Sequence, residues 1–303
     1  MRKSRLLAAA AAGGGLLAVV AARRGRGRRP VDRDWPVALA HRGASARAPE
    51  NTLEAFGLAA ASGAGGLETD VHMTLDGRIV AFHDDTVDRT TDGSGLVREM
   101  TLAELKELDA GYRFTPDGGE TYPYRGRGVR VPEIGEVLRA FPDLAVNIEI
   151  KEEQPGVEAA LLRVIEEEGA LERALVASGR AGPVARFRRL SGGRVRTGAS
   201  AREIVLFYYG SRLRLDGLLR PPYDALQVPA EHRGTPVVTP RFLEAAHGLG
   251  VRVDVWTVDD PGEMRRLLDL GADGIMTNRP EVLQGVLRQG AAPQPRVPGG
   301  PRA

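Results

Sequence analysis

The sequence predicts an α/β fold, a (β/α)8 TIM-like barrel with a small insertion after the second strand. Across residues 35–289, short β-type runs alternate with amphipathic helical segments, which is typical of a parallel α/β fold. Eight of the runs fit barrel strands, and eight is the number that closes such a barrel. A chain of 303 residues, 42% of them hydrophobic, can bury the core of a barrel of roughly 250 residues.

The eight predicted barrel strands are short runs separated by helical segments. They are Val37–His41, Leu67–Met73, Leu144–Ile150, Ala174–Ala177, Val195–Gly198, Ala225–Val228, Val251–Thr257 and Gly274–Thr277. Several helices between them begin and end at residues that favour helix termini. These residues are Asn51 with Glu54 and Thr101 with Glu104 as capping boxes, Thr239-Pro240 and Asp260-Pro261 as capped starts, and Gly271 as a C-cap.

A ninth β-type run, Ile79–His83, lies outside the barrel count. It follows the second strand across Asp76-Gly77, a strong signal for a tight hairpin, so we expect it to fold back antiparallel. A two-residue turn there sets His83 opposite Asp70, on the same face of the hairpin. The stretch from about 84 to 142 is long for one connection, and we expect it to form the small insertion over one mouth of the barrel.

The two ends of the chain differ from the body. Residues 1–34 hold an uncharged run of 17 residues, Leu6–Ala22, and a basic linker. The run favours an uncleaved membrane anchor, because the arginines beyond it hinder export; a cleaved signal peptide and a disordered leader remain alternatives. Residues 290–303 are rich in Pro and Gly and are expected to form a disordered tail.

Charge and composition exclude several classes of function. The first 29 residues carry eight basic and no acidic side chains, so the remaining chain has 34 basic against 40 acidic residues, or about −6. This balance and an aromatic content of 5% argue against nucleic-acid binding. The absence of cysteine excludes disulfides, thiolate nucleophiles and Cys-ligated zinc. The glycines form no nucleotide-binding motif.

Ionisable residues collect at the predicted carboxyl ends of the first two strands, where barrel enzymes carry their chemistry. His41-Arg42-Gly43 closes the first strand and suits proton transfer beside an anion. Glu68 and Asp70 alternate on the second strand and so share one face, where a cation would relieve their repulsion. A solvent-facing hairpin with incidental charges is the alternative interpretation.

The third and seventh strands add further candidates. Glu149 and Lys151 alternate on the third strand, and the ammonium group suits a phosphate oxygen, although it could also form only a salt bridge. Trp256 ends the seventh strand, where an indole could wall a small polar substrate or belong to the core. His232 and His247 have no carboxylate at motif spacing, and we interpret both as structural.

Taken together, these residues resemble the glycerophosphodiester phosphodiesterase family. The matching stretches, in family order, are His41-Arg42-Gly43, Pro49-Glu50-Asn51-Thr52, Glu68-Thr69-Asp70-Val71-His72, Asp76-Gly77, His83-Asp84, Arg89-Thr90, Glu149-Ile150-Lys151, Trp256-Thr257-Val258 and Gly274-Ile275-Met276-Thr277-Asn278. The similarity covers about 37–286, and so many motifs in order make it specific.

The resemblance implies a phosphoric diester hydrolase that converts glycerophosphodiesters to glycerol 3-phosphate and an alcohol. It implies that Glu68, Asp70 and Glu149 bind one divalent cation, Mg²⁺ or Ca²⁺, and that His41 and His83 form the acid–base pair. The predicted substrate-binding residues are Arg42, Glu50, Lys151 and Trp256. Either histidine could be the acid, and the attacking oxygen could come from water or from the substrate's own hydroxyl.

The sequence departs from the family pattern in two places. Asp259 stands where many relatives carry Asn, and residues 112–130 follow no family pattern, which leaves the leaving alcohol open. Two alternatives to the main interpretation are a membrane-associated lysophospholipase D and a catalytically inactive barrel that binds glycerophosphodiesters. The expected partners are the small-molecule substrate and, through residues 1–34, a membrane, with no nucleic acid; the sequence makes no prediction of oligomeric state.

Overall fold

The structure, a computed structural model, describes residues 35–291. The predicted anchor and most of the predicted tail therefore lie outside the described residues. Within the described part of the chain, no helix has the length and apolar character needed to cross a membrane.

Eight parallel strands form the barrel that the sequence predicts. They are β1 (Ala38–His41), β2 (Gly66–Met73), β4 (Ala145–Ile150), β5 (Ala174–Ala177), β6 (Arg196–Thr197), β7 (Ala225–Val228), β10 (Arg252–Val255) and β11 (Gly274–Thr277). Three further short strands are β3 (Ile79–Ala81), β8 (Glu231–His232) and β9 (Thr235–Pro236). Each of the eight predicted barrel strands is present, although β6 is shorter than predicted and β10 ends before Trp256.

Helices pack outside the strands and alternate with them along the chain. They are α1 (Leu53–Ala61), α2 (Leu102–Glu107), α3 (Ile134–Ala140), α4 (Val157–Glu167), α5 (Ala181–Ser191), α6 (Ala201–Arg212), α7 (Pro240–Gly248), α8 (Pro261–Leu270) and α9 (Pro280–Ala291). Two 3-10 turns, Val97–Glu99 and Asp216–Leu218, complete the set.

The barrel is nearly closed. Its strand order is β6-β5-β4-β2-β1-β11-β10-β7, and all of these neighbours are parallel. At the seam between β6 and β7, Gly198 bridges Ala225, and the N–H of Asp224 donates to the carbonyl of Thr197 at 2.8 Å. This topology places β1, β2 and β4 side by side, which brings the predicted functional residues of three separate stretches together.

The hydrophobic core follows the two halves of the barrel. One cluster packs β2, β4 and β5 against α1 and α3–α5, with Phe56, Ile148 and Phe187 fully buried. The second packs β7, β10 and β11 against α6–α9 around Phe207 and Phe242. A smaller cluster around Val80, Phe82 and Leu105 supports the connection between β3 and α3.

The hairpin β2–β3 confirms the predicted antiparallel strand but not its register. Val71 pairs with Ala81 and Met73 with Ile79, so Asp70 lies opposite Phe82 and not opposite His83. The reason is a three-residue loop, in which the N–H of Thr74 donates to the carbonyl of Arg78 and Gly77 takes a left-handed φ of 76°. The predicted route by which His83 reaches the carboxylates was therefore wrong.

Helix α1 begins one residue later than predicted. Thr52 is the N-cap, and its hydroxyl accepts a hydrogen bond from the N–H of Ala55 at 3.3 Å. An N-cap needs an extended backbone, which Thr52 has, whereas Asn51 has a left-handed φ of 57°. The predicted capping box of α2 and the predicted caps of α7 and α8 are confirmed.

Candidate active site

Three carboxylates meet between two neighbouring strands. Glu68 and Asp70 alternate along β2, and the parallel register sets Glu149 of β4 directly beside Asp70. One oxygen from each side chain lies within 4.8 Å of the others. Glu68 and Asp70 are almost fully buried, with 3% and 1% of their surface exposed, while Glu149 is half-buried.

The buried position of Glu68 among other carboxylates shifts its pKa. Burial raises the pKa of Glu68 well above its usual value, and the charges of Asp70 and Glu149 raise it further. The backbone N–H of Arg42 opposes this effect by donating to Glu68 Oε2 at 3.0 Å. A further positive charge at the cluster would oppose this rise in the pKa of Glu68.

Two cationic side chains flank Asp70. Arg42 Nε lies 3.0 Å from Asp70 Oδ2, and Lys151 Nζ lies 3.2 Å from Asp70 Oδ1 and 3.3 Å from Glu149 Oε2. Burial lowers the pKa of Lys151, but Asp70 and Glu149 outweigh it and raise the pKa overall. Both side chains are therefore charged and directed into the carboxylate cluster.

Asn51 holds Asp70 from the other side. Its Nδ2 donates to Asp70 Oδ2 at 3.1 Å, and its Oδ1 accepts from the hydroxyl of Thr69 at 2.8 Å. This buried contact uses the left-handed backbone of Asn51, which turns the amide inward and away from the helix start. We interpreted Asn51 as a helix cap from sequence, so this positioning role was missed.

His83 connects to the cluster through a chain of ion pairs. Its Nδ1 lies 2.5 Å from Asp84 Oδ1, and Arg89 bridges Asp84 and Glu50. Glu50 in turn pairs with Arg42 Nη1 at 2.9 Å. Burial raises the pKa values of both acids, but hydrogen bonds from Arg89 outweigh it, which lowers the pKa of Glu50 and brings that of Asp84 to about 2.

A buried histidine supports the backbone beneath His83. His72, which is 1% exposed, places Nε2 3.1 Å from the carbonyl oxygen of His83. Its Nδ1 lies 3.7 Å from Glu152 Oε2. The position of His83 is therefore set by these side-chain contacts together with the hairpin, in which the preceding Phe82 N–H donates to the carbonyl of Asp70.

His41 ends β1 and is oriented by the last barrel strand. Its Nδ1 lies 2.7 Å from Asn278 Oδ1, and Asn278 Nδ2 donates to Asp259 Oδ2 at 2.7 Å. Because Asp259 accepts from the amide nitrogen, the amide oxygen must face His41, and this network assigns the proton of the neutral ring to Nδ1. The free Nε2 then points toward the cluster, 4.0 Å from Glu68 Oε2.

The environment of His41 favours its neutral form. Burial lowers the pKa of His41, and the hydrogen bond to Asn278, which raises it, only partly compensates. The charge of Arg42 lowers the pKa further. A neutral ring with Nδ1 bound and Nε2 free can accept a proton at Nε2.

The structure connects eight of the nine predicted site residues by ion pairs and hydrogen bonds, and the ninth, Trp256, is not part of this network. The connected residues are His41, Arg42, Glu50, Glu68, Asp70, His83, Glu149 and Lys151. Trp256 follows β10 at the same end of the barrel, with 44% of its surface exposed. Of the residues that sequence reasoning missed, Asn278 and Arg89 lie within motifs that we had quoted, and this is the signal that could have identified them.

The residues of the cluster fit a divalent cation. Three carboxylates face two cationic side chains, so negative charge exceeds positive charge in a buried place. Carboxylate oxygens are the ligands that Mg²⁺ and Ca²⁺ prefer. Burial first, and then the charges of Asp70 and Glu149, raise the pKa of Glu68, and a bound cation would oppose both effects.

Comparison with known sequences and structures gives a consistent result. Residues 41–282 match the model of the glycerophosphoryl diester phosphodiesterase family. The chain is 38% identical over 261 residues to a glycerophosphodiester phosphodiesterase of Caldanaerobacter subterraneus, which covers 84% of this chain and 98% of that protein. It is 33% identical over 256 residues to a probable glycerophosphodiester phosphodiesterase 2 of Mycobacterium tuberculosis, with 83% and 90% covered.

Solved structures share the fold. A glycerophosphoryl diester phosphodiesterase domain from Mycobacterium tuberculosis superposes with a TM-score of 0.73 at 23% identity, covering 83% of this chain and 99% of the domain. A phosphodiesterase of Oleispira antarctica, solved with the product sn-glycerol-3-phosphate, superposes with a TM-score of 0.70 at 25% identity. That match covers 86% of this chain and all of the other.

Proposed function

The chain belongs to the glycerophosphoryl diester phosphodiesterase family and is a phosphoric diester hydrolase, and we propose that it cleaves glycerophosphodiesters with one divalent cation and two histidines. The products would be glycerol 3-phosphate and an alcohol. The observation that carries this proposal is the carboxylate cluster of β2 and β4 with the free Nε2 of His41 directed at its edge.

Glu68, Asp70 and Glu149 would hold the cation. When bound there, a divalent cation would offset the negative charge that grows on the phosphate as the reaction proceeds. Arg42 and Lys151 already stand at the cluster and carry fixed positive charge, so both are placed to bind phosphate oxygens.

The two histidines would move protons. His41, whose lowered pKa favours the neutral ring and whose Nε2 is free, takes a proton from the attacking oxygen of water as the new P–O bond forms. His83, whose Nδ1 faces the carboxylate of Asp84, gives the proton on its Nε2 to the departing alkoxide as the bond from phosphorus to the alcohol oxygen breaks. Exchange with solvent then restores both starting protonation states. If a hydroxyl of the substrate attacks instead, the same two transfers give a cyclic phosphate, and water opens it to glycerol 3-phosphate as His83 takes a proton and His41 returns one. Each transfer is typically worth about 10²–10⁴ in rate.

Histidine substitution tests the assignment of the two rings. We expect His41→Ala and His83→Ala each to lower kcat by at least about 10², since each removes one proton transfer. The measurement is release of glycerol 3-phosphate from glycerophosphocholine and glycerophosphoethanolamine, with circular dichroism to verify folding. His232→Ala, which alters an exposed histidine of the β8–β9 hairpin, is the matched control. A variant with near-normal turnover would remove its histidine from the mechanism.

Cation dependence is tested on the unmodified protein. We expect a chelator to abolish glycerol 3-phosphate release and Mg²⁺ or Ca²⁺ to restore it, because the carboxylates alone repel the anionic phosphate. Titration of each ion into the chelated and dialysed protein would identify the one that the site prefers. Full activity in the presence of excess chelator would refute the cation requirement while leaving the histidine pair to be judged separately.

A further inference from the structure

Helix α6 carries apolar side chains on the face that packs on the barrel and also on its outer face. Phe207 is buried in the core of the second half of the barrel, and Ile204 and Tyr208 pack partly against that core. On the opposite face, Val205 and Tyr209 stand exposed. The outer face of a surface helix normally carries polar residues, so exposed apolar side chains there indicate an occupant.

The exposed apolar surface continues beyond the helix. We define the α6 patch as the six exposed side chains Val205, Leu206, Tyr209, Leu213, Leu215 and Leu218. They are half of the twelve large apolar side chains exposed on residues 35–291, although they come from only 14 consecutive positions. Leu213 and Leu218 are the most exposed of the six, at 67% and 62%. Single exposed apolar residues are common, but such a concentration marks an interaction surface.

The charge around the α6 patch is positive. Residues 201–220 contain four exposed arginines, Arg202, Arg212, Arg214 and Arg220. The two acids of the same segment are already paired with arginines from outside it: Glu203 with Arg188, and Asp216 with Arg241. The spacing from Arg202 through Val205 and Leu206 to Tyr209 places basic and apolar side chains on one stripe of the helix.

We propose that the α6 patch docks on the surface of an anionic lipid bilayer. A helix that lies flat with leucines and an aromatic ring facing the acyl boundary and arginines facing the headgroups is the arrangement of an interfacial helix. A second copy of this chain fits less well, since a symmetric pairing would bring the same arginines together. The chain's own apolar run Leu6–Ala22 also fits less well, because arginines flank it on both sides.

Two hydrogen bonds fix the end of α6 beside the segment that follows β7. Arg241 Nε donates to the carbonyl of Ser211 at 3.0 Å, and Arg212 Nη2 donates to that of Pro236 at 3.3 Å. The end of α6 therefore lies against the β7–α7 connection and the first turn of α7.

Vesicle binding of the full chain tests the proposal. With vesicles of phosphatidylcholine plus phosphatidylglycerol, we expect Leu213→Gln/Leu218→Gln to lower the partition coefficient at least tenfold. Arg214→Gln/Arg220→Gln should lower it about fivefold per arginine, and only when phosphatidylglycerol is present. Neither pair touches the active site, so hydrolysis of soluble glycerophosphocholine should not change, which separates failure of docking from failure of the proposed function.

A local probe keeps the test decisive even if residues 1–34 also bind lipid. The chain has no cysteine, so a single Leu218→Cys can carry an environment-sensitive dye. Leu75→Cys is the matched control, because Leu75 is 63% exposed and follows β2, across the barrel from α6. We expect anionic vesicles to blue-shift the dye at 218 and not at 75.

Three results would overturn the docking proposal. The first is a dye at 218 that anionic vesicles leave unshifted, or that shifts no more than the dye at 75. The second is a shift that appears with rising protein concentration in the absence of vesicles, which would assign the α6 patch to a second copy. The third is a dye already shielded at all concentrations without lipid, which would assign it to another segment of the same chain.

Discussion

At the scale of single residues, His41 depends on side chains that lie far from it in the sequence. Asn278, 237 positions away, accepts the hydrogen bond of Nδ1. Asp259 fixes the orientation of that amide through both of its oxygens, accepting from the Asn278 N–H and from Asn278 Nδ2. Under the proposed mechanism, Asn278 is therefore a positioning residue, because it would act on the reaction only through the His41 ring that it contacts.

Asn278→Ala tests this positioning role. Removal of the amide leaves His41 without the hydrogen bond that raises its pKa, so burial and Arg42 lower the pKa further. We expect kcat to fall about tenfold, and the acidic limb of the kcat profile to move to lower pH, because His41 stays neutral there. A pH–rate profile over the range of activity provides the measurement.

A nearby serine supplies the control for this prediction. Ser45 Oγ donates to Asn278 Oδ1 at 2.8 Å, but Ser45→Ala leaves the contact between His41 and Asn278 in place. Its profile should therefore resemble that of the unmodified protein. An acidic limb that stays in place or moves to higher pH in Asn278→Ala would show that Asn278 does not tune His41.

The sequence predicts some contacts of the site and cannot predict others. The alternation of Glu68 and Asp70 along a strand is a local property of the chain, so their common face is predictable. The contact of His41 with Asn278 forms only when the barrel closes and β1 pairs with β11. Local sequence patterns do not predict such a pairing between the two ends of the barrel. Asn51 was misassigned because a short polar side chain next to a helix start suits both a cap and an inward hydrogen bond.

At the scale of secondary-structure elements, one turn sets the register of the β2–β3 hairpin. The type of turn was not evident from Asp76-Gly77, because the same dipeptide fits a two-residue loop and a three-residue loop with glycine in the left-handed region. The structure has the longer loop, with Gly77 at φ 76°. The hydrogen bond of Thr74 Oγ1 to Asp76 Oδ1, at 2.6 Å, stabilises it.

Gly77→Ala tests the cost of the left-handed conformation. An added Cβ meets no atom within 4 Å, so any effect comes from the backbone. We expect the free energy of unfolding to fall by about 1–2 kcal/mol, with no change in kcat, as measured by urea denaturation. Gly57→Ala is the matched control, since it also meets no atom but lies inside α1, where alanine should stabilise by up to about 1 kcal/mol. Equal effects of the two substitutions would contradict this account.

At the scale of the whole molecule, the order of the strands assembles the site. Neighbouring positions of β1, β2 and β4 in the barrel bring together carboxylates and cations from stretches more than 100 residues apart in the chain. The eightfold repetition of strand and helix made the barrel predictable. The exposed outer face of α6 was not predictable, because its apolar pattern alone does not distinguish a buried helix from one that meets another surface.

The same assembly links stability to protons and to cations. A carboxyl group whose pKa is raised in the folded state binds protons more tightly there than in the unfolded chain. For Glu68, the free energy of unfolding of the cation-free protein should therefore fall as pH rises above the usual pKa of a glutamate and through the raised value. A cation that binds the ionised carboxylate must displace that proton, so its affinity should rise over the same range of pH.

Thermal unfolding at several pH values tests this linkage. Without cation, the unfolding temperature should fall as pH rises from the usual pKa of a glutamate through the raised pKa of Glu68. With Mg²⁺ or Ca²⁺ at 100 times its dissociation constant, the free energy of unfolding should rise by about 2.7 kcal/mol. Glu68→Gln removes the titrating charge, so the cation-free protein should lose this pH dependence and the cation response should shrink. Glu54→Gln, at an exposed position of α1, should behave like the unmodified protein. If the cation stabilises Glu68→Gln as strongly as the unmodified protein, Glu68 is not a ligand of the ion. The cation would then bind elsewhere, because loss of a buried ligand should weaken its binding.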